Sequence, residues 1–355
     1  MNITFLVGNG FDINLGLKTQ YKDFYPYYLE KNQKKDDLIL NAIRNESYEL
    51  WADLEAKLGD LLSEISEDQI DQFLDDKERI EGFLLDYLTL QNKRFRISDS
   101  SSLNKELANK IAVFYKEFQA KWRIEYESFL RKVTEEILFN FISFNYTSTL
   151  DQIINSFTES NSNLSLGTHV GQNTRYNDRF GKIIHIHGDL NKGIILGLND
   201  QSQINNDQLK NNQQLNDYMI KTRINEQYGA LNQENAVKLI QNSRYVCVYG
   251  MSIGDTDNIW WVTIIDWLLK DPANRLVLYT HSDSQIQKSI AKAIRTGNKK
   301  KQKFLSKQSD IEEDIYRRVN SQIIVVPNPE IFNFKSISIA DEPSLGKSVN
   351  DNADA

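Results

Sequence analysis

Short, wholly apolar runs separated by helical stretches constrain this chain more than any other feature. They are NITFLV at 2–7, FNFISF at 139–144, KIIHIH at 182–187, IILGL at 194–198, RYVCVYG at 244–250, RLVLYT at 275–280 and SQIIVVP at 321–327. Strands of this kind belong to a parallel sheet covered on both faces. The fold class expected is therefore α/β, with a Rossmann-like parallel sheet.

No convincing strand lies between 28 and 136. WADLEAKLGDLLSEI carries apolar residues at helical spacing from Trp51 through Leu62. A long helix is expected over 105–138, capped by Ser101 or Ser102, and another over 255–270, capped by Asp255. A helix should begin near Lys18, and the polar stretch 199–216 reads as a loop leading into a helix. The expected organisation is a Rossmann-like nucleotide-binding domain from 1–35 and 137–335. A large all-helical insertion fills 36–136, and 336–355 form a disordered tail. Trp260, Trp261 and Trp267 have spacings that suit core packing, and KKKQKF at 299–304 reads as a solvated surface.

Composition narrows the function classes. The chain has 355 residues and a net charge of −7. Nucleic-acid binding through bulk charge needs clustered Lys and Arg, so no strong nucleic-acid signal is present. Cys247 is the single cysteine, so no internal disulfide can form, which fits a reducing cytosol. There is no secretory signal pattern, and no stretch approaches the roughly 18 apolar residues of a membrane helix. A cytoplasmic protein without membrane association is expected.

Four segments carry candidate chemistry. GNGFD at 8–12 is a glycine loop after a strand, which lets backbone N–H groups approach a phosphate or ribose. It is an incomplete dinucleotide fingerprint, because Ile13 stands where the third glycine would be; the plainer reading is a tight turn. Asp12 would repel a phosphate and suits a ribose hydroxyl or a cationic group. FISFNYTSTLD at 141–151 ends a strand at Asn145, where open α/β sheets bind ligands; Asn145 is otherwise an ordinary cap. IIHIHGDL at 183–190 places His185 and His187 on one face. It reads as a general base at His187, a metal pair, or two structural histidines. YGMSIGDTD at 249–257 contains G-x-S-x-G, the nucleophile elbow. A triad of Ser252, Asp266 and His281 would put its acid inside a helix and its histidine only one strand later. The alternative is a second glycine turn lining the same cleft.

The order GNGFD, FNYT, HIHG, YGMSIGDTD, together with Trp51-Ala52-Asp53-Leu54-Glu55, resembles the AbiH family of bacterial abortive-infection proteins from residue 3 to about 280. It is more distantly similar to the sirtuin-like fold, whose defence members hydrolyse NAD. That resemblance implies Asn145 and His187 as catalytic, Gly8, Asn9 and Gly10 holding a dinucleotide, and Gly250 and Ser252 closing the site near the adenosine. Phe11, Thr19, Ser143, Tyr146, Asp255 and Asp257 complete the expected nucleotide-contacting set. Asn9 replaces the small residue usual in the sirtuin loop. The zinc-binding cysteine pairs of deacylases are missing, so lysine deacylation is not expected.

The resemblance thus implies an antiphage effector that hydrolyses NAD or a related nucleotide at the N-glycosidic bond. NAD would be a substrate, with no tightly bound cofactor. Asn145 would hold the attacking water, His187 would accept a proton, and Asp12 would stabilise developing positive charge. One rival is a metal-dependent nuclease or phosphohydrolase using His185, His187 and Asp189. Another is a non-enzymatic nucleotide-sensing module. The expected partners are the nucleotide and a phage-derived trigger that the sequence does not identify; a homo-oligomer stays open.

Overall fold

The computed structural model describes residues 1–47, 51–160, 165–228, 231–281, 290–308 and 312–341. Its centre is a seven-stranded sheet. Across the sheet the strands run Ile323–Pro327, Arg275–Thr280, Ser243–Tyr249, Asn2–Val7, Leu138–Ser143, Thr174–His185 and Gly167–Gly171. Neighbours pair in parallel except at the last edge, where Gly167–Gly171 runs antiparallel to Thr174–His185. Numbering the parallel strands along the chain gives the Rossmann order 3-2-1-4-5-6.

Alternation along the strands builds two cores. Ile3, Phe5 and Val7 join Phe139, Phe141, Tyr245 and Cys247 on one face. Leu6, Ile142, Val246, Val248 and Leu276 join the three tryptophans Trp260, Trp261 and Trp267 on the other. Helices cover both faces of the central strands, which is why those strands read as largely apolar.

The stretch 36–136 is not one helical unit. Residues 21–88 pack around Phe24, Trp51, Leu58 and Phe73, together with Leu196, Leu198 and Met219, in a core of their own. Residues 103–133 pack directly on the sheet. The expected long helix over 105–138 is broken into Ser100–Lys110, a 3-10 turn at Phe114–Glu117 and Ala120–Leu130. Packing explains the break: the Phe114 ring meets Phe5, Phe118, Tyr126, Phe139 and Tyr245 edge-on. Asp99, and neither Ser101 nor Ser102, caps the first piece.

The block also contains a strand. Phe95–Ile97 pairs antiparallel with Ile337–Ile339, so the chain past 335 is ordered at least through that ribbon; residues 342–355 lie outside the described residues. Two further expectations change. The run 194–198 forms no strand of its own: Ile194 joins Gly193 in a two-residue pairing with Gly188–Asp189, Leu198 makes an isolated parallel bridge with Ile220, and Gly197 N–H donates to Glu55. The strand at 182–187 is the end of the longer Thr174–His185, joined to its antiparallel neighbour by a tight turn with Gln172 and Asn173 at positive φ. Among the described residues, no helix is long and apolar enough to cross a membrane.

Candidate functional site

The Asn2–Val7 and Ser243–Tyr249 strands lie side by side, while the helices that follow them cover opposite faces. Such a topological switch point leaves a crevice at the carboxyl ends of the strands. Both strands run there into glycine loops that pack on each other. Gly8 N–H donates to Tyr249 O at 2.9 Å and Gly10 N–H to Gly250 O at 2.8 Å. A Cβ on Gly10 would sit 2.5 Å from Gly250 Cα, and one on Gly250, whose φ is +69°, would sit 2.6 Å from Phe11 N. The glycines are therefore demanded by loop-on-loop contact, whatever else approaches them.

Above the loops is a cavity of about 910 Å³. Gly8, Asn9, Asp12, Thr19, Asn145, Tyr146, His187, Gly250, Ser252 and Asp257 all border it, as do Tyr21, Asp53, Glu55 and Leu84 from the region before the second strand. The remaining members of the expected set do not. Phe11 is buried in the core, edge-on to Phe332 at 5.1 Å. Gly10 faces Gly250. Ser143 lies beneath, where its hydroxyl accepts from Asn145 N–H at 3.2 Å. Asp255 is exposed and paired with Lys307. Nor does Asp255 cap the next helix, which starts at Asn258 after Asp257.

Asp12 is 1% exposed. Its two oxygens accept from the hydroxyls of Thr147 at 2.6 Å and Thr149 at 2.5 Å. Burial pushes its carboxyl up to about 6, against the pull of those two hydroxyls. The carboxyl ties the first glycine loop to the segment after Asn145, so its two lone-pair directions toward the threonines are already used. Asn9 is likewise clamped, with Thr19 O accepting from its amide at 2.9 Å.

Asn145 differs. It is 5% exposed at the cavity wall, and neither its amide nitrogen nor its amide oxygen has a hydrogen-bond partner. Buried amides are nearly always satisfied, and an unsatisfied one costs about 1–3 kcal/mol. A donor and an acceptor held open side by side at a cavity wall suit a polar ligand.

His187 stands edge-on to Phe144 at 5.4 Å, and its Nε2 lies 3.3 Å from Asp257 Oδ1. The same oxygen accepts from Lys221 Nζ at 3.1 Å, and Lys221 also donates to Glu55 Oε2 at 2.7 Å and Thr256 O at 3.2 Å. Burial opposes charge on all these groups, and their mutual attraction decides the outcome. Lys221 and His187 overcome burial at Asp257 and hold that carboxyl well below the ordinary range. Asp257 and Glu55 likewise overcome burial at Lys221 and push the ammonium up. At Glu55 burial wins over the lysine, and the carboxyl is raised. Asp257 faces the Nε2 side of the His187 ring.

His185, two residues away, is separate. Its Nε2 pairs with Asp151 at 3.0 Å and its Nδ1 approaches Asn145 O at 3.2 Å. Burial lowers its tendency to protonate, but Asp151 outweighs it and the pKa is raised. Asp189 accepts from the Asn191 and Lys192 amides. The donor set of His185, His187 and Asp189 is therefore not assembled, and no group of three or more His, Cys, Asp or Glu is placed for a metal among the described residues. Nor is the elbow triad. Asp266 is exposed on its helix and His281 is edge-on to Tyr249, while an irregular loop over 251–257 separates Ser252 from the helix such an elbow needs.

Reasoning from sequence missed Lys221 altogether and did not assign Glu55 to the site. Lys221 follows the short helix Gln213–Met219, with no motif around it. Glu55 carried a weak signal, as a carboxylate beside Leu54 and Leu58 on the buried stripe of a short helix.

Fold and cavity together define a Rossmann-like α/β protein with a ligand-sized, polar-walled crevice at the switch point of its sheet. The chain belongs to the AbiH family: the model of Bacteriophage abortive infection AbiH matches residues 4–280. Membership places it in phage abortive infection. No individual curated protein matches the chain.

Proposed function

We propose that this protein serves abortive infection by hydrolysing NAD or a related nucleotide at its N-glycosidic bond. The observation that carries the reading is the open Asn145 amide beside an oriented His187–Asp257 pair, in a cavity at the Rossmann switch point. In the reaction, the bond between ribose C1′ and the pyridinium nitrogen breaks, and its electron pair leaves with neutral nicotinamide. Asn145 holds the attacking water against the oxocarbenium-like ribose. Nδ1 of His187 accepts the water proton as the new C1′–O bond forms, then passes it to solvent. The products are ADP-ribose, nicotinamide and a proton.

The acidic lining suits a positively charged transition state better than a polyphosphate tail. Asp53, Glu55 and Asp257 line the cavity, and of the two lysines at its border, Lys22 and Lys303, both are exposed. Asp257, paired with Lys221 and His187, orients the imidazole, and Asp12 is committed to two threonines.

The test is to incubate the purified chain with NAD, ATP, RNA and DNA separately and identify products by mass spectrometry, while measuring NAD in infected cells. Nicotinamide and ADP-ribose from NAD support the reading. Unchanged NAD through a protective response refutes it, and nucleotide binding without turnover would make the cavity a sensor.

A further inference from the structure

Lys221 is buried, its side chain 8% exposed, and it joins three parts of the chain at once. Glu55 comes from the helix Leu54–Leu61, Lys221 opens the helix Lys221–Gln227, and Asp257 closes the second glycine loop. All of them converge behind His187. We propose that Lys221 and Glu55 are positioning residues for His187: Lys221 holds Asp257 in place as the acceptor for Nε2–H, and Glu55 shares Lys221 so that its charge is divided between two carboxylates. The helix that supplies Glu55 is thereby part of the site. This rests on reading His187 as the cavity's proton acceptor.

The charges around the imidazole determine what each substitution does. By Coulomb's law the carboxylates of Asp257 and Glu55 attract a positive charge on the ring and the Lys221 ammonium repels it. Tyr146, whose ring lies tilted at 6.4 Å, is neutral at ordinary pH because burial raises its phenol far up. On its own segment, Asp189 is turned to backbone amides and His185 to Asp151. Removing Lys221 would leave Asp257 and Glu55 without their buried lysine, so that taking up a proton on His187 would become more favourable. Removing the Glu55 charge would commit Lys221 wholly to Asp257.

The chain has four histidines, so NMR of histidine-labelled protein can follow His187 directly, with no substrate present. His187→Gln assigns the resonance. Lys221→Met should raise the His187 titration midpoint by about one unit or more, and Glu55→Gln should lower it by a few tenths. In the wild type the Nε2–H tautomer should dominate the neutral form. Glu55→Gln removes the charge with the least change of shape and keeps one of the two acceptors used by Gly197 N–H and Lys221, which gives a second readout where Lys221→Met does not fold. Midpoints that stay put in folded variants, or an upward shift in Glu55→Gln, overturn the assignment. A chain that cleaves no NAD yet shows the rise in Lys221→Met and the fall in Glu55→Gln refutes the hydrolase reading and leaves this one standing.

Discussion

The two walls of the cavity are built on different physics. One wall is the pair of glycine loops, where backbone touches backbone and no charge is involved. The other is a buried ionic cluster, Glu55–Lys221–Asp257–His187, with the open Asn145 amide beside it. The first wall is steric and admits almost no variation in shape. The second is electrostatic, and each member is tolerable only because the others are present. A ligand site needs both: a rigid frame, and polar groups whose own needs are left unfilled.

Substitutions can break this contrast at either wall. The largest effect is expected at Lys221. Lys221→Met leaves two carboxylates buried without their cation, and losing one partner of a buried pair costs about 3–5 kcal/mol. Chemical denaturation should show that loss, and it should shrink at low pH, where Glu55 and Asp257 take up protons. A loss that stays constant with pH would mean packing and not charge. On the steric wall, Gly250→Ala must place a Cβ 2.6 Å from Phe11 N at φ +69°. Overpacking costs about 1–3 kcal/mol and the left-handed backbone about 1–2 more, so roughly 3 kcal/mol is expected. This loss should be independent of pH, which is the sharpest difference between the walls.

That contrast also explains what the sequence could reveal. Steric requirements leave local marks: Gly8, Gly10 and Gly250 stand directly after apolar runs, and Asn145 and His187 end two more. Parallel pairing was legible from the same runs, since the central strands are apolar on both faces; their order across the sheet was not. The electrostatic wall left little trace. Lys221 pairs with Glu55 across 166 positions; nothing local marks Lys221 as buried, and Glu55 shows only its place beside Leu54 and Leu58. The break at Phe114 and the strand Phe95–Ile97 were hidden for the same reason, because their partners, Phe5, Phe139, Tyr245 and Ile337–Ile339, lie far along the chain. The expectation at Asp255 failed by two residues, and the carboxylate with a role, Asp257, serves Lys221 and His187 instead of capping its helix.

Asp12 joins the two walls, and its pH behaviour sharpens the comparison. Its folded pKa of about 6 lies above the ordinary 3.8. The folded chain therefore holds that proton more tightly than the unfolded one, and stability falls as pH rises from about 4 to about 6. A shift of about two units corresponds to at most about 3 kcal/mol. Asp12→Asn keeps one acceptor and gains a donor, so both threonine hydroxyls can still be satisfied. Urea titrations across pH 4 to 6 should show a flatter profile in the variant than in the wild type. Equal slopes would mean that Asp12 titrates no differently in the fold.

The smallest effect on stability is expected at the residue placed closest to the chemistry. Asn145 has both side-chain polar atoms buried and unpartnered, so the folded chain already bears their desolvation. Asn145→Ala removes those atoms and leaves a small void facing an existing cavity. Relief of about 1 kcal/mol or more of desolvation offsets the lost contacts, and the net change should lie within about 1 kcal/mol of zero, on either side. Its backbone bonds to Ser143 and His185 do not depend on the side chain. The same variant should lose NAD cleavage by 100-fold or more, of the order expected when a group acting only in the transition state is removed. Denaturation midpoints and product formation measured on one preparation separate the two readings. A loss of stability near that of Lys221→Met would make Asn145 part of the framework, and the open amide would then be a packing feature instead of a ligand contact.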